Sequence, residues 1–417
     1  MTNGSAVTKD DTNDTMAFVD SVTMYSSVVL TALSAIAFFV NLYLLNCSQY
    51  LRRPIGVNLR LCVSLTASDA LCAFFYILTY VVNSIVPGLV STCWSLLIEV
   101  CKYSTFFASV FTLLALALNH YVGIVYPLRR HAITPRTVRF AIGAAYLVPL
   151  TFFLAIFSIR TDAFRADESF AFFSENGCTN ATIFRTSSYR WTVVLPFILI
   201  ILILSFLYGH ILVHMGRISR DPLLSHNINN RKRKSNRKLL VTLVLLAGSA
   251  CLGWLPTMIS FVFTCHTCIF PIQSLLTRAL LGAFAQAIHI SKLLLDAFVY
   301  ASRLIEIRYS MYVFDEVVRK RIRAICGKNA ENAPLPSEFS RYLSETKEHR
   351  STRRKHNASQ FRNTASSSPK NLQLEPCISK RASSVVMTSS GRTASSLSPI
   401  SPHGKLHKTR SCKGTSS

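Results

Sequence analysis

Residues 191–215 read WTVVLPFILIILILSFLYGHILVHM, a stretch that contains no aspartate, glutamate, lysine or arginine. The hydrocarbon core of a bilayer is about 30 Å thick, and about 20 apolar helical residues cross it. Backbone groups in lipid must be hydrogen-bonded within their own segment, so such a stretch is helical. Seven mostly apolar stretches predict an all-α bundle of seven transmembrane helices, at residues 24–47, 57–83, 94–125, 137–159, 191–215, 238–264 and 274–302.

The composition of the 417-residue chain agrees with a membrane protein. Half of its residues are hydrophobic and 16% are charged, whereas soluble domains carry about 25% charged residues. The net charge of +25 would suit nucleic acid, but membrane proteins collect lysine and arginine in their cytoplasmic loops. We therefore expect membrane lipids, and no nucleic acid, as partners of the basic segments. Twelve cysteines in a chain of this length do not indicate a disulfide scaffold.

Lysine and arginine residues lie in alternate loops and predict the orientation of the chain. They occur at 52–53, 129–136 and 231–238, whereas the loop 160–190 carries equal numbers of basic and acidic residues. The first 23 residues are polar and acidic, without the features of a signal peptide. We expect a multi-pass protein with its N-terminus outside and its C-terminus inside.

Four regions are predicted along the chain. Residues 1–23 form an extracellular tail with glycosylation sequons at Asn3 and Asn13, and Asn180 lies in a sequon of the long outer loop. Residues 24–303 form the helical bundle. Residues 304–326 predict an amphipathic helix on the membrane surface, with Cys326 a candidate for palmitoylation. Residues 327–417 are rich in polar residues and predict a disordered cytoplasmic tail.

Short motifs occur in order along the predicted helices. They are Asn41, Leu65-Thr66-Ala67-Ser68-Asp69, Asn119-His120-Tyr121 with Pro127-Leu128, Pro196, Gly253-Trp254-Leu255-Pro256, and Asp296-Ala297-Phe298-Val299-Tyr300. Together they resemble the rhodopsin-like (class A) G-protein-coupled receptors, over about residues 24–326. The resemblance implies a plasma-membrane receptor, without enzymatic activity or cofactor, that passes an extracellular ligand signal to a heterotrimeric G protein.

The resemblance also implies which residues act at the cytoplasmic side. Activation and G-protein coupling are expected to involve Asn119, His120, Tyr121, Leu128, Pro256 and Tyr300. The family has an arginine at the position of His120, so this chain departs from the pattern at the coupling site. Serines of the tail suggest receptor kinases and arrestin as further partners, because phosphate would reverse the local charge.

The polar centre of the bundle is predicted to contain Asn41, Asp69, Ser109, Lys292 and Asp296. Charges within the bilayer are expected to face the bundle interior and to pair with each other. The resemblance places Asp69 and Ser109 in a sodium pocket. Our hypothesis is that the Lys292 ammonium replaces the sodium ion and bridges Asp69 and Asp296. Pairing with Asp296 alone, or extension of the lysine toward the membrane surface, remains the alternative.

The ligand is expected among the outer halves of the helices, near Lys102, Phe106, Trp254, Gln286 and His289. Amine receptors of the family carry an aspartate where this chain has Lys102, so an amine ligand is not expected. A small peptide is our interpretation, because the outer loop is long and mixed in charge. Lys102 either contacts the ligand or pairs with Glu99 on the same helical face.

Two disulfides are expected outside the membrane. The resemblance implies a bond between Cys93 and Cys178 that ties the outer loop to the third helix. Cys265 and Cys268 predict a local disulfide in the last outer loop, and a metal site there is the weaker alternative because it needs more ligands.

Two other functions remain open from the sequence. A receptor-like protein that does not couple to a G protein is suggested by His120. An ion or solute transporter could use Asp69, Lys292 and Asp296 as a relay, although no internal repeat is evident.

Overall fold

Seven long helices dominate the computed structural model, which describes residues 9–161, 187–220, 230–263, 272, 274–326 and 335–344. These seven are α1 (Lys9–Ser48), α2 (Val57–Tyr80), α3 (Thr92–Val125), α4 (Pro135–Thr161), α5 (Ser187–Arg220), α6 (Asn230–Phe263) and α7 (Leu275–Arg303), and a further helix, α8 (Ile305–Ile325), follows them. A π-helical turn, Val81–Ile85, follows α2, and a 3-10 turn, Pro127–Ala132, follows α3. All regular structure within the described ranges is helical, and the predicted all-α class is confirmed.

Each of the seven predicted stretches coincides with one of the helices α1 to α7. All seven helices are long and apolar enough to cross a membrane. They pack side by side, with α3 against α2, α4 and α5, while α7 contacts both α1 and α6. Prolines lie inside α4, α5 and α6, where each removes one backbone hydrogen bond. The bundle therefore brings the centres of α2, α3, α6 and α7 together.

Helix α1 begins at Lys9, well inside the predicted N-terminal tail. Its sequence contains no glycine or proline, and aspartates in the first turns favour the positive end of the helix dipole. Helical structure therefore extends into residues 9–23 of the predicted tail, whose extracellular position stays a prediction. The sequon residues Asn3 and Asn180 lie outside the described residues, as does the side chain of Asn13.

Helix α8 packs against the end of α1 through one hydrogen bond and two ring contacts. The Tyr43 hydroxyl donates to Asp315 Oδ1 over 2.8 Å. The ring of Phe314 lies 5.6 Å from that of Tyr43 and 5.7 Å from that of Tyr50, between centroids. Cys326 is a free, exposed thiol at the end of the helix, and its palmitoylation stays a prediction.

Residues 337–344 form a further short helix within the stretch predicted to be disordered. Phe339 is buried, and its ring lies 5.7 Å from Tyr309 and 5.3 Å from Tyr312 of α8. The two terminal guanidinium nitrogens of Arg308, Nη1 and Nη2, donate to the Glu338 carboxylate, at 3.1 and 2.5 Å. The prediction is wrong for these residues because one aromatic side chain and one charge anchor them. Residues 346–417 form a separate unit, which lies outside the described residues.

Replacing Phe339 by alanine is expected to release this short helix from α8. Truncating a buried aromatic side chain removes most of the contact that holds the segment. Limited trypsin digestion at Arg341 should become several times faster than in the parent chain. Ser340→Ala, at an exposed neighbouring position, is the matched control and should leave the rate unchanged. Equal rates in Phe339→Ala and the parent would show that the aromatic contact does not hold the segment.

Candidate functional site

Three charged side chains meet in the centre of the bundle, where they are shielded from solvent. Asp69 lies on α2, and Lys292 and Asp296 lie one turn apart on α7. Their residues are 0%, 3% and 2% exposed, respectively. An isolated charge in such a place is strongly unfavourable, so the three groups depend on each other.

The Lys292 ammonium lies between the two carboxylates. Its Nζ is 2.8 Å from Asp296 Oδ2 and 3.6 Å from Asp69 Oδ1. It also lies 3.4 Å from Ser109 Oγ and 4.5 Å from the centre of the Trp254 ring. One lysine thus links α2, α3, α6 and α7 through a carboxylate, a hydroxyl and an aromatic face.

Two serine hydroxyls complete the surroundings of the carboxylates. Ser109 Oγ donates to Asp69 Oδ1 over 2.7 Å, and Ser249 Oγ of α6 donates to Asp296 Oδ1 over 2.7 Å. Asp69 Oδ2 is buried without a hydrogen-bond partner among the described residues. The cluster therefore contains one cation for two carboxylates, with one oxygen still unsatisfied. The role of Ser249 was not predicted from the sequence. A single hydroxyl in an apolar span is only a weak sign of a polar contact inside the bundle.

Asn41 lies beside the cluster and binds backbone instead of charge. Its amide nitrogen donates to the carbonyl of Leu293 over 3.2 Å and to that of Ala37 over 2.9 Å. The first bond joins α1 to α7 at the residue that follows Lys292. Asn41 consequently positions the lysine-bearing helix, and no ion pair is needed to explain its burial.

Gly253 makes room for the lysine stem. A Cβ added to this residue would overlap the Cβ and Cγ of Lys292. Any larger side chain would therefore push α6 away from α7 at the level of the cluster. This role could not be read from the sequence, where Gly253 is only the residue before Trp254.

An aromatic layer, formed by Phe106, Trp254, His289 and Phe197, lies next to the lysine. The ring of Phe106 is 6.0 Å from Trp254, 5.1 Å from His289 and 5.7 Å from Phe197. Trp254 and His289 are almost fully buried, at 0% and 1% exposure. Among the predicted ligand residues, Phe106, Trp254 and His289 are brought together in this aromatic layer.

The remaining two predicted ligand residues lie nearer the end of the bundle at which α3 begins. The Tyr80 hydroxyl donates to the Gln286 amide oxygen. Lys102 Nζ lies 2.5 Å from Glu99 Oε2, and the two side chains are 13% and 12% exposed. The ammonium also lies 5.6 Å from the ring centre of Tyr76 and 5.2 Å from that of Tyr103. Of the two interpretations of Lys102, the structure shows pairing with Glu99; ligand contact stays a prediction.

At the opposite end of α3 the predicted coupling residues have different surroundings. Asn119 donates to the side-chain oxygen of Asn58 on α2. His120 is buried, and the ring of Tyr121 packs 5.5 Å from that of His210 on α5. Leu128 is 92% exposed on the turn that follows α3.

Tyr300 and Pro256 lie further inside the bundle. Tyr300 is buried, and its hydroxyl has no hydrogen-bond partner among the described residues. Tyr208 of α5 is buried in the same way, with an equally unsatisfied hydroxyl. Pro256 lies two residues after Trp254, inside α6. The structure thus separates Leu128, at the surface, from Tyr300, in the core.

Cys93 is disulfide-bonded at the start of α3. The other described cysteines are free, so the partner of Cys93 lies outside the described residues. Cys178, Cys265 and Cys268 are also outside them, and both predicted pairings stay predictions. Within the described ranges, no group of three metal-ligating side chains occurs.

Comparison with known proteins gives a family match that covers most of the helical bundle. The family described as "7 transmembrane receptor (rhodopsin family)" matches residues 39–300, more than half of the chain. Galanin receptor type 2 of Mus musculus is 29% identical over 164 residues, which cover 37% of this chain and 39% of that receptor. Galanin receptor 2a of Danio rerio is 26% identical over 172 residues, which cover 38% and 43%. The chain thus matches about two fifths of the length of these curated relatives.

Proposed function

The chain belongs to the rhodopsin family of seven-transmembrane receptors, and on this premise we propose that it passes an extracellular ligand signal to a heterotrimeric G protein. The ligand acts by population shift, because it changes the equilibrium only through tighter binding to one conformation of the bundle. The plasma membrane, with the N-terminus outside, is the proposed location. The lysine and arginine residues of alternate loops support this orientation.

One observation carries the proposal: a continuous set of contacts joins the aromatic layer to the cytoplasmic half of α7. Phe106 packs on Trp254, and the Trp254 ring lies 4.5 Å from the Lys292 ammonium. Lys292 in turn binds Asp296 over 2.8 Å. Tyr300 follows Asp296 by one helical turn. A ligand that moves Phe106 or Trp254 would alter the lysine's contacts and, through them, the position of Tyr300.

A peptide is the proposed class of ligand, and two observations support it. The relatives matched above are galanin receptors, and this similarity supports a receptor of the peptide type. The cationic Lys102, where amine receptors have an aspartate, would repel a cationic amine. An acidic group of the peptide is expected near the Lys102–Glu99 pair.

The direct test is a screen of peptide ligands, galanin included, on cells that express the full chain, with second messengers as the readout. We expect a saturable response that is missing from cells without the chain. Solute uptake or current in vesicles that contain the purified chain, without a second-messenger response, would instead support the transporter.

His120 favours a second candidate, a receptor-like protein that binds ligand without G-protein coupling. The histidine is buried on α3 where the family has an arginine. Replacing it by arginine distinguishes the two candidates. If the chain couples, basal nucleotide exchange on a purified G protein should be measurable in the parent, and His120→Arg should change it by less than about tenfold, or about 1.4 kcal/mol.

The control for this experiment is His214→Arg, the same substitution on α5 and outside the motif. A silent parent that becomes active only in His120→Arg would contradict the coupling proposal and support the non-coupling candidate. Regulation by receptor kinases and arrestin is proposed for the tail, whose serines beyond residue 344 lie outside the described residues.

A further inference from the structure

A cleft of about 300 Å³ lies between α5 and α6. Its lining includes Ser205, Gly209 and Leu212 of α5 and Val244, Gly248 and Cys251 of α6. All of them belong to the membrane-spanning parts of the two helices. The lining is mostly apolar, and its polar side chains are those of Ser205 and Tyr208, so the cleft suits an apolar occupant better than an ion.

The cleft is open because two glycines face it without a neighbour to fill the space. A Cβ added to Gly209 or to Gly248 would meet no atom within 4 Å. Atoms that line an empty gap lose the dispersion contacts they would otherwise make. An apolar molecule of suitable width would therefore be held there by contacts that the two helices do not make with each other.

The mouth of the cleft opens toward lipid. Leu212 and Val244 are partly exposed at its edge, and Phe206 and Leu252 beside it are 67% and 73% exposed. In a bilayer such surfaces meet acyl chains. A peptide segment is a poor occupant, because the apolar lining could not satisfy its backbone hydrogen-bonding groups.

The sequence is rich in lysine and arginine beyond one end of the cleft. Arg217 is exposed on α5, five residues after Leu212. The second helix of the cleft, α6, is continuous from Asn230, and its first turns contain the basic run 231–238. Lys238 precedes Val244 by six residues, or about 9 Å at 1.5 Å per residue. Lysine and arginine residues that flank a membrane span attract anionic headgroups, which a sterol lacks.

We propose that the cleft binds an acyl chain of an anionic phospholipid, whose headgroup lies against the cationic ends of α5 and α6. The bound chain stabilises the conformation of α5 and α6 in which the cleft exists. The lipid composition of the leaflet on this side then adjusts the equilibrium between conformations of the bundle, without a ligand in the outer half. The proposal is independent of G-protein coupling.

Photo-crosslinking of the full chain in lipid vesicles tests the proposal. The probes are phosphatidylserine and phosphatidylcholine, each with a photoreactive group in one acyl chain, and the labelled peptides are mapped by mass spectrometry. We expect phosphatidylserine to label residues 205–212 and 244–251 several times more than phosphatidylcholine does. Gly248→Leu should fill the cleft and abolish this excess. Gly143→Leu on α4, where an added Cβ also meets no atom, is the matched control and should preserve it.

Charge and occupancy can be separated by a further variant. Arg217→Gln combined with Lys238→Gln should reduce the preference for phosphatidylserine and leave labelling of the cleft by the acyl chain. If labelling is even over the lipid-facing helices, or is unchanged in Gly248→Leu, no lipid binds specifically in the cleft. Labelling of the same peptides by a photoreactive cholesterol, with no excess for phosphatidylserine, would also overturn the proposal.

If Gly248→Leu does not fold, the parent chain allows an independent test of the proposal. Cys251 is a free, half-buried thiol in the cleft. Its alkylation by a membrane-soluble maleimide should be several times slower in vesicles that contain phosphatidylserine than in phosphatidylcholine alone. Cys101, free and half-buried on α3, is the internal control and should react equally in both. Equal rates at Cys251 would contradict the proposal.

Discussion

Replacing Lys292 by methionine is expected to destabilise the protein by about 3–5 kcal/mol, the usual cost of removing one partner from a buried ion pair. Methionine fills a similar volume but carries no charge. Asp69 and Asp296 would then remain buried without their shared cation. Thermal unfolding of the purified chain in detergent, read with a thiol-reactive dye or by light scattering, measures the loss.

The same variant tests whether the ammonium occupies a sodium position. In Lys292→Met, sodium chloride should raise the unfolding temperature more than choline chloride does, because a sodium ion can bind between Asp69 and Ser109. The parent should respond equally to both salts. Lys292→Met combined with Asp296→Asn should recover part of the stability, since it removes one of the unpaired carboxylates.

Lys102→Met is the matched control for both effects. It removes a lysine from another ion pair on α3, whose side chains are 13% and 12% exposed, so the charge left behind is less completely shielded from water than those of Asp69 and Asp296 and the loss of stability should be smaller. No sodium dependence is expected there. A Lys292→Met protein with parental stability and no sodium response would contradict the bridging role of the ammonium.

Gly253→Ala should be more damaging than a glycine-to-alanine change usually is in a helix. The added Cβ overlaps the Cβ and Cγ of Lys292, which are the near end of the side chain and cannot turn away. Overpacking of this kind costs about 1–3 kcal/mol. A lower unfolding temperature, together with loss of ligand binding once a ligand is known, is the expected result.

Two other glycines provide controls within the same bundle. An added Cβ at Gly143 of α4 or at Gly248 of α6 meets no atom within 4 Å. Alanine at these positions should be neutral or stabilising by up to about 1 kcal/mol, because alanine loses less backbone entropy in a helix. If the three alanine variants have equal unfolding temperatures, the contact between α6 and the lysine stem does not explain why position 253 is a glycine.

The fold could be predicted well from hydropathy, because a lipid environment permits few backbone arrangements. The triad of Asp69, Lys292 and Asp296 was also predictable in outline, since buried charges must find partners. The contacts between helices could not be predicted, because they depend on how each helix is rotated and how closely it packs against its neighbour. Ser249 and Gly253 matter only because α6 presents them to α7, and no periodicity along one helix reveals that.

The end of the bundle at which α3 begins shows the same limit. The sequence allowed Lys102 to face either a ligand or Glu99, and only the three-dimensional arrangement shows the ion pair. The tyrosines around it, Tyr76 and Tyr103, carry no motif and resemble ordinary core residues in the sequence. The short helix at 337–344 was also not predicted, because its one buried aromatic residue, Phe339, lies in a mostly polar stretch of sequence.

That short helix decides where the chain can be shortened for purification. A protein that ends at Cys326 would lose the cover over Tyr309 and Tyr312 and would leave Arg308 without the Glu338 carboxylate. Two aromatic rings would then face solvent, a surface that favours aggregation. A protein cut after residue 345 keeps these contacts and removes only the unit 346–417, so it is the better starting material for crystallisation.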